Sequence, residues 1–596
     1  MEQDGSPPAS EARRDDSVRT RLSRAGLGLA LGLAALTGCT NAPPPPVVTT
    51  PVAESSPAPE ETASQIVVGV NDISGGYNPH NIADGSTVTS ALSQLLLPSV
   101  FRPEDDGSLA LDETLMVSAE VTSRSPFTVA YEIRPDASWS DGAPIAAEDF
   151  IYLADAMRTE PGVVQPAGYR LISGIESREG GKRVEVTFAE AYPGWRTLFD
   201  NLLPAHLLKD APGGWRGALA ESFPAYGGPF SIKTLDKGRG EIILERNERY
   251  WEKPAAVDRL VLRSADQAGM AAALRSGNDQ FAIARTDATG LNLFGELGQE
   301  IDLHRIARPR TASLLLRPVG ALADDQVRAG IAALIDRTKL IEEGIDGGPS
   351  ATLRADAQVT PPSDPAYTPT LPTGDDGAPI AEANSTEAER LLTAAGYERE
   401  AGTWSRDGET LSVVLAAPRE ERPYTTIAQE LQRQLVAAGV EVRLVTPPAR
   451  ELFASQLAMP VESGQGNATN TGNVGVDIAV VPQPTGGDPA STLASLFGCG
   501  LDREEQTENA PDMPANPAAF CVESLQPSIE AALTGATEPA EALAELEPEL
   551  WRQNVVIPLF QLADTLAVGD GVIGVAPGPP LAGPFGAAVN WTRGAK

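Results

Sequence analysis

The 596-residue chain has little of what most enzyme and nucleic-acid chemistry requires. Three histidines are scattered along it, poor material for a metal site or a general base. No G-x-S-x-G, H-E-x-x-H or G-x-x-x-x-G-K-[ST] motif occurs. Catalysis is not expected, and no metal or cofactor is expected either. Positive charge is short: 46 Lys and Arg face 81 Asp and Glu, giving a formal net charge of -35. Such a surface repels phosphate backbones, so nucleic acid is not an expected partner. Aromatic residues make up only 5%. No apolar run reaches the roughly 20 residues that a membrane-spanning helix needs. The remaining composition, 42% hydrophobic and 21% charged, is that of a soluble globular protein.

The first residues have a different character. Arg13, Arg14, Arg19, Arg21 and Arg24 precede an uncharged apolar run, Ala25 to Leu36, which ends in Leu36-Thr37-Gly38-Cys39. Charged, then apolar, then small is the order of a secretory signal peptide. The end resembles a bacterial lipobox, which implies cleavage before Cys39 and lipidation of its sulfur. The Arg13-Arg14 pair has the look of a twin-arginine signal, but Asp15 and Asp16 follow it directly and do not fit. Ordinary export in the unfolded state is expected, with the protein held by lipid on the outer face of the cytoplasmic membrane.

Residues 40–65, TNAPPPPVVTTPVAESSPAPEETASQ, bear too little hydrophobicity to repay ordering. They read as a Pro-rich tether, semi-extended at about 3 Å per residue. The rest exceeds one hydrophobic core and implies about three domains. With Cys39 lipidated, Cys499 and Cys521 remain as a pair in an oxidising compartment. A disulfide is expected there, with two reduced buried thiols as the alternative. It would contribute roughly 3 kcal/mol in the chain-entropy description.

Strands are expected at Gln65 to Val70, Phe127 to Arg134, Val184 to Phe188, Glu241 to Glu245 and Val440 to Val445, from their β-branched or alternating character. Helices are expected at Ala147 to Met157, with Glu148 and Asp149 favourable to its N-terminal dipole, and near Asp324 to Asp336, Ser385 to Ala395 and Tyr424 to Ala438. Helices followed by extended segments point to an α/β class. Two polar stretches, Thr360 to Ala381 and Val461 to Val474, are expected to be mobile loops.

Five spaced motifs carry a family resemblance. They are Tyr131-Glu132-Ile133-Arg134 with Trp139-Ser140-Asp141-Gly142-Ala143-Pro144 and Ala147-Glu148-Asp149-Phe150; Leu203-Pro204-Ala205-His206-Leu207; Gly227-Gly228-Pro229-Phe230; Arg246-Asn247 with Tyr250-Trp251; and Val327-Arg328 with Asp336-Arg337. In this order they resemble the family 5 extracellular solute-binding proteins, receptors of ABC importers for peptides, nickel and oligosaccharides. The stretch Leu493 to Cys499 is also similar to the segment before the first half-cystine of dipeptide-binding members, a second pointer to the disulfide.

The resemblance implies a two-lobed periplasmic-binding-protein-like clamp, type II, cluster C, with an extra subdomain in lobe I. The implied division is a signal peptide at 1–38, lipidated Cys39 and tether at 39–65, lobe I at 66–310 with the subdomain at about 91–224, lobe II at 311–554, and a return to lobe I at 555–596. A monomer is expected. Its partner would be an ABC permease, and its ligand a peptide or other small molecule.

In peptide-binding relatives an acidic residue four positions before a proline holds the ligand's amino group. The matching position in Val481 to Pro489 is Thr485, so the charge is missing, and Asp488 beside Pro489 is the available substitute. A closer resemblance is to LpqW-type lipoproteins of actinobacteria, through Gly76-Tyr77-Asn78-Pro79-His80, Leu97 to Pro103, Pro161 to Val164 and Tyr192-Pro193-Gly194-Trp195-Arg196. That type implies a mannosylated glycolipid ligand and membrane mannosyltransferase machinery as partner. Tyr77, Trp139, Tyr192, Trp195 and Tyr226 suit stacking on sugar rings, with core packing as the alternative. Asn78, Thr485, Gly487 and Asp488 complete the candidate ligand set. Replacing Cys39 with Ala should release the chain from the membrane fraction; retention of the variant in that fraction would overturn the lipid-anchor reading.

Overall fold

The computed structural model describes residues 64–373, 382–419, 422–459, 475–499 and 514–594. The signal peptide, Cys39, nearly all of the tether, the 461–474 loop and residues 374–381 of the other loop lie outside the described residues. The compact unit runs from Thr62 to Lys596.

Ten strands form one sheet, in the order Glu441–Val445, Ser412–Ala416, Ile478–Pro484, Ile301–Leu316, Val556–Gly569, Phe281–Ala284, Gln65–Val70, Arg259–Ser264, Glu241–Arg246 and Phe230–Asp236. Both ends contain parallel pairs, as in Gln65↔Arg259 and Ser412↔Glu441. Two long strands hold the middle. Ile301–Leu316 and Val556–Gly569 run antiparallel from Ile301↔Gly569 to Leu315↔Val556, and their register breaks between Ala307 and Thr311.

Two main hydrophobic cores flank this break. Leu314, Leu316, Ile331, Leu392, Tyr424, Leu431, Ile478 and Leu559 build the smaller one. The larger joins Val68, Leu92, Leu260 and Phe281 to a separate antiparallel sheet ordered Met116–Arg124, Phe127–Ile133, Arg183–Phe188, Ile172–Arg178. The fold is therefore the two-lobed α/β clamp, with a second sheet attached to the first lobe. Helices Pro489–Phe497, Gln526–Leu533 and Pro539–Arg552 direct Leu493, Ile529 and Leu546 into the larger core. Gln165 reinforces this docking, its side-chain amide donating to Gly486 O and Thr492 Oγ1, both at 2.8 Å.

Within the second sheet's layer, the tryptophan-to-helix motif closes on itself. Asp149 turns back from the first turn of helix Ala147–Thr159 and accepts from Ala146 N at 3.0 Å, Ala205 N at 2.9 Å and Trp139 Nε1 at 3.1 Å. Glu148 stays exposed. Asp149 is thus a buried junction between three segments, in addition to carrying favourable charge at the helix N-terminus.

The segment 360–373, expected to be mobile, is irregular yet anchored. Asp356 N donates to Tyr367 Oη at 2.8 Å, and Ser363 N donates to Gln561 Oε1 at 2.9 Å. Buried Glu547 accepts from Gln358 N and Val359 N at 2.8 and 3.1 Å. Its prolines remove backbone donors, but side chains distant in sequence supply the bonds that the segment lacks internally. Cys499 and Cys521 form a disulfide with Cα atoms 4.6 Å apart, which ties helix Pro489–Phe497 to the helices that follow.

Burial pushes the Asp149 carboxyl up to about 6, against the opposing pull of its three donors. The folded chain thus holds this proton more tightly than the unfolded chain between about pH 4 and about pH 6. The stability from this group is present at the acidic end and declines as pH rises through about 6. Asp149→Asn removes the titration. The wild-type advantage in urea unfolding free energy over this variant should be larger at pH 4 than at pH 7, by on the order of 2 to 3 kcal/mol; an advantage that grows with pH would contradict the assignment.

Candidate functional site

A cavity of about 1390 Å³ opens where the two long strands cross. The turn after strand Gln65–Val70 contributes Asn71, Asp72, Ser74 and Gly76, and the start of helix Thr87–Leu96 contributes Ser86, Thr87 and Val88. Asp266 and Asp287 stand on another wall, each capping a helix by accepting from Gly269 N and Gly290 N. Opposite lie Glu342, Glu343 and Asp346 at the C-terminal end of helix Arg337–Ile345, with Pro423 and Thr426 from helix Tyr424–Ala437 and its N-cap. Among the described residues no aromatic side chain lines this space; its apolar lining comes from Val88, Ile345 and Leu562 and from alanines and prolines.

The floor is the break in strand register. A bulged strand redirects its side chains, and Pro309 has no N–H for the ladder. Around it, Thr485 N donates to Pro309 O at 3.0 Å and Gln561 Nε2 to Arg308 O at 3.0 Å. Arg308 and Arg310, two residues apart, both line the cavity. Arg308 donates to Ser90 Oγ at 2.6 Å and lies 3.6 Å from Asp564, which also accepts from Thr87 Oγ1 at 2.7 Å. Burial lowers the Arg308 pKa, Asp564 acts against that, and the neighbouring charge of Arg310 adds to it. Arg310 donates to Gly85 O at 2.6 Å.

Arg450 completes the floor from the other side. It belongs to the segment after strand Glu441–Val445, which leaves the smaller core and places Leu452 and Phe453 in the larger one. Its guanidinium grips Asp84 through Nε, at 2.6 Å, and Nη2, and it also donates to Arg216 O. Burial raises the Asp84 pKa, while bonding to Arg450 pulls it down. Glycines make this geometry possible: a Cβ on Gly76 would meet Arg450 Nη2 at 2.1 Å, and one on Gly85 would meet Arg310 Nη2 at 0.9 Å.

None of the nine ligand residues expected from sequence lines this cavity. Tyr77 and Asn78 are buried beneath it. The Tyr77 hydroxyl donates to Ile73 O at 2.6 Å, burial pushes its pKa up to about 12, and Asn78 Oδ1 accepts from His80 N at 3.0 Å. Trp139 is fully buried on Asp149. Tyr192 packs beside Gly168 and Gly194, and Trp195 meets Phe101 edge-on. Tyr226 is half-buried, its N donating to Ser140 Oγ at 3.0 Å. Their aromatic area is worth more in the core than at a wet surface. Thr485 is buried and donates to Val359 O at 3.2 Å, Gly487 is exposed at a turn with φ of 75°, and Asp488 caps helix Pro489–Phe497 by accepting from Ser491 N at 3.0 Å. Neither Thr485 nor Asp488 presents a carboxylate to the cavity. Sequence reasoning missed Asp84, Arg308, Arg310 and Arg450. The one readable signal was Arg308-Pro309-Arg310, a proline interrupting a strand.

The chain matches the bacterial extracellular solute-binding proteins, family 5 (middle), over residues 113–499. It belongs to that family, and it is a binding protein of the extracytoplasmic space, not an enzyme. Among its relatives is the probable monoacyl phosphatidylinositol tetramannoside-binding protein LpqW of Mycobacterium tuberculosis, 34% identical over 97% of this chain and 99% of that one. The oligopeptide-binding protein OppA of Mycobacterium bovis is 25% identical over 87% of this chain and 83% of its own. Among solved structures, the oligopeptide-binding protein AppA from Bacillus subtilis with a nonapeptide gives a TM-score of 0.69 at 16% identity, over 90% and 100% of the two chains. The periplasmic EDTA-binding protein EppA gives 0.67 at 22%, over 90% and 97%. Among the described residues, no helix is long and apolar enough to cross a membrane.

Asp84→Ala leaves the Arg450 guanidinium without its partner. The expected loss is on the order of 2 to 3 kcal/mol, reduced because Arg450 remains 30% exposed. Gly76→Ala should lower the urea midpoint to a similar degree. Wild-type stability in Gly76→Ala would show that the guanidinium does not lie across that glycine.

Proposed function

We propose that this protein captures the sugar-bearing headgroup of a phosphatidylinositol mannoside at the outer face of the cytoplasmic membrane, where lipid on Cys39 keeps it. The observation that carries this reading is the end-to-end similarity to the LpqW relative, at 34% identity over 97% and 99% of the two chains. The cavity's chemistry supports it. At about 1390 Å³ it exceeds the roughly 300 to 1,000 Å³ of ordinary small-molecule pockets. Carboxylates, hydroxyls and glycine backbones are spread along its lining, groups that exchange hydrogen bonds with sugar hydroxyls as donors and acceptors. In this reading the acyl chain remains in the membrane while the headgroup is held. Membrane mannosyltransferase machinery is the fitting partner for such a role.

A second reading, receptor for a peptide importer with an ABC permease as partner, draws on the OppA similarity. It lacks an acidic side chain at Thr485, and Asp488 is engaged as a helix cap. Native mass spectrometry of the chain purified from its own membrane separates the two. A co-purified mannolipid is expected, and a bound peptide would overturn the glycolipid reading.

A further inference from the structure

We propose that Arg310 is the anchor for a single negative charge on the ligand, the phosphodiester of a phosphoinositol glycolipid; this rests on the headgroup reading above. The cleft floor gathers three guanidiniums, Arg308, Arg310 and Arg450, against two carboxylates, Asp84 and Asp564. Arg450 occupies Asp84 with two nitrogens, and Asp564 faces Arg308. Arg310 is left with one backbone carbonyl, Gly85 O, and, among the described residues, no carboxylate within ion-pair distance. Asp84 attracts it through space but is already bonded to Arg450, so this half-buried cation, beside a second cation, lacks a bonded counter-charge of its own, which is electrostatically unfavourable. An anionic ligand group would relieve that cost.

The residue is also preorganised. Its guanidinium lies against the bare Cα of Gly85, where a Cβ would come within 0.9 Å of Nη2 and 1.6 Å of Cζ. The strand break at Ala307 to Thr311 fixes where the side chain emerges. A planar fork held in one orientation matches the paired oxygens of a phosphodiester. A peptide carboxylate shares that geometry. The remaining lining favours the phosphodiester: its hydroxyls and carboxylates suit a polyol, it has no aromatic side chain among the described residues, and it sits apart from buried Thr485.

The test is isothermal titration calorimetry on the full chain with two probes, deacylated phosphatidylinositol tetramannoside and the same inositol tetramannoside without phosphate. Arg310→Gln should weaken the phosphorylated probe by roughly ten-fold or more, as expected for a lost charge-assisted pair, and leave the phosphate-free probe unchanged. Arg310→Lys should retain part of the difference. Should Arg310→Gln not fold, wild-type affinity for the phosphorylated probe alone should fall as sodium chloride is raised; insensitivity to salt would then overturn the inference. Equal binding of the phosphorylated probe by wild type and Arg310→Gln would overturn it and leave the headgroup reading standing. So would an equal loss for both probes, which would mean that Arg310 only shapes the cavity. A wild type that binds neither probe, or that binds a peptide through Arg310 instead, would overturn the headgroup reading and the inference together.

Discussion

Everything in the clamp hangs on one pairing, the antiparallel contact of Ile301–Leu316 with Val556–Gly569. These strands are the continuous backbone between the two main cores. One end of the ladder packs Leu314 and Leu559 in the smaller core, and the other brings Ile306 and Leu566 into the larger. A ladder so long would ordinarily form a stiff plank. The break at Arg308-Pro309-Arg310 interrupts it, and Thr485 N and Gln561 Nε2 satisfy the carbonyls of Pro309 and Arg308 there.

The same interruption makes the site. Arg308 and Arg310, two apart on the strand, both line the cleft, and Arg310 needs glycine opposite it, because no side chain fits where its guanidinium lies. Asp84 and Arg450, 366 residues apart, close the floor from the other side. Charge placed this deep is costly unless paired, so the pairing of Asp84 with Arg450 and Asp564 with Arg308 is a condition for the cleft to exist. Arg310 has Gly85 O as its hydrogen-bond partner and, among the described residues, no carboxylate within ion-pair distance.

Much of the framework was legible in the sequence. Strand Gln65–Val70 and helix Ala147–Thr159 follow from local pattern, the first from β-branched density and the second from its acidic start. The spaced motifs announced the family, and Cys499 with Cys521 announced the disulfide. The residues that line the cleft were not legible. Aromatics were the natural candidates for a sugar site, but Tyr77, Trp139, Tyr192 and Trp195 are the large side chains that a chain with few aromatics uses to fill its first lobe. The loop at Thr485 to Asp488 was read by analogy with peptide receptors, yet Thr485 bonds to Val359, a partner 126 residues away that no local pattern reveals.

By itself the sequence determined the net acidity, the α/β class and the family, because these reside in composition, short-range periodicity and motif order. Only the tertiary structure decided which polar residues face the cleft. Asp84, the Arg308-Pro309-Arg310 stretch of strand and Arg450 come from distant parts of the chain, and apart from that proline nothing in their neighbourhoods distinguishes them from the many charged residues at the surface. Their roles are set by burial and by the bulge that directs them, properties that exist only once the two long strands have paired.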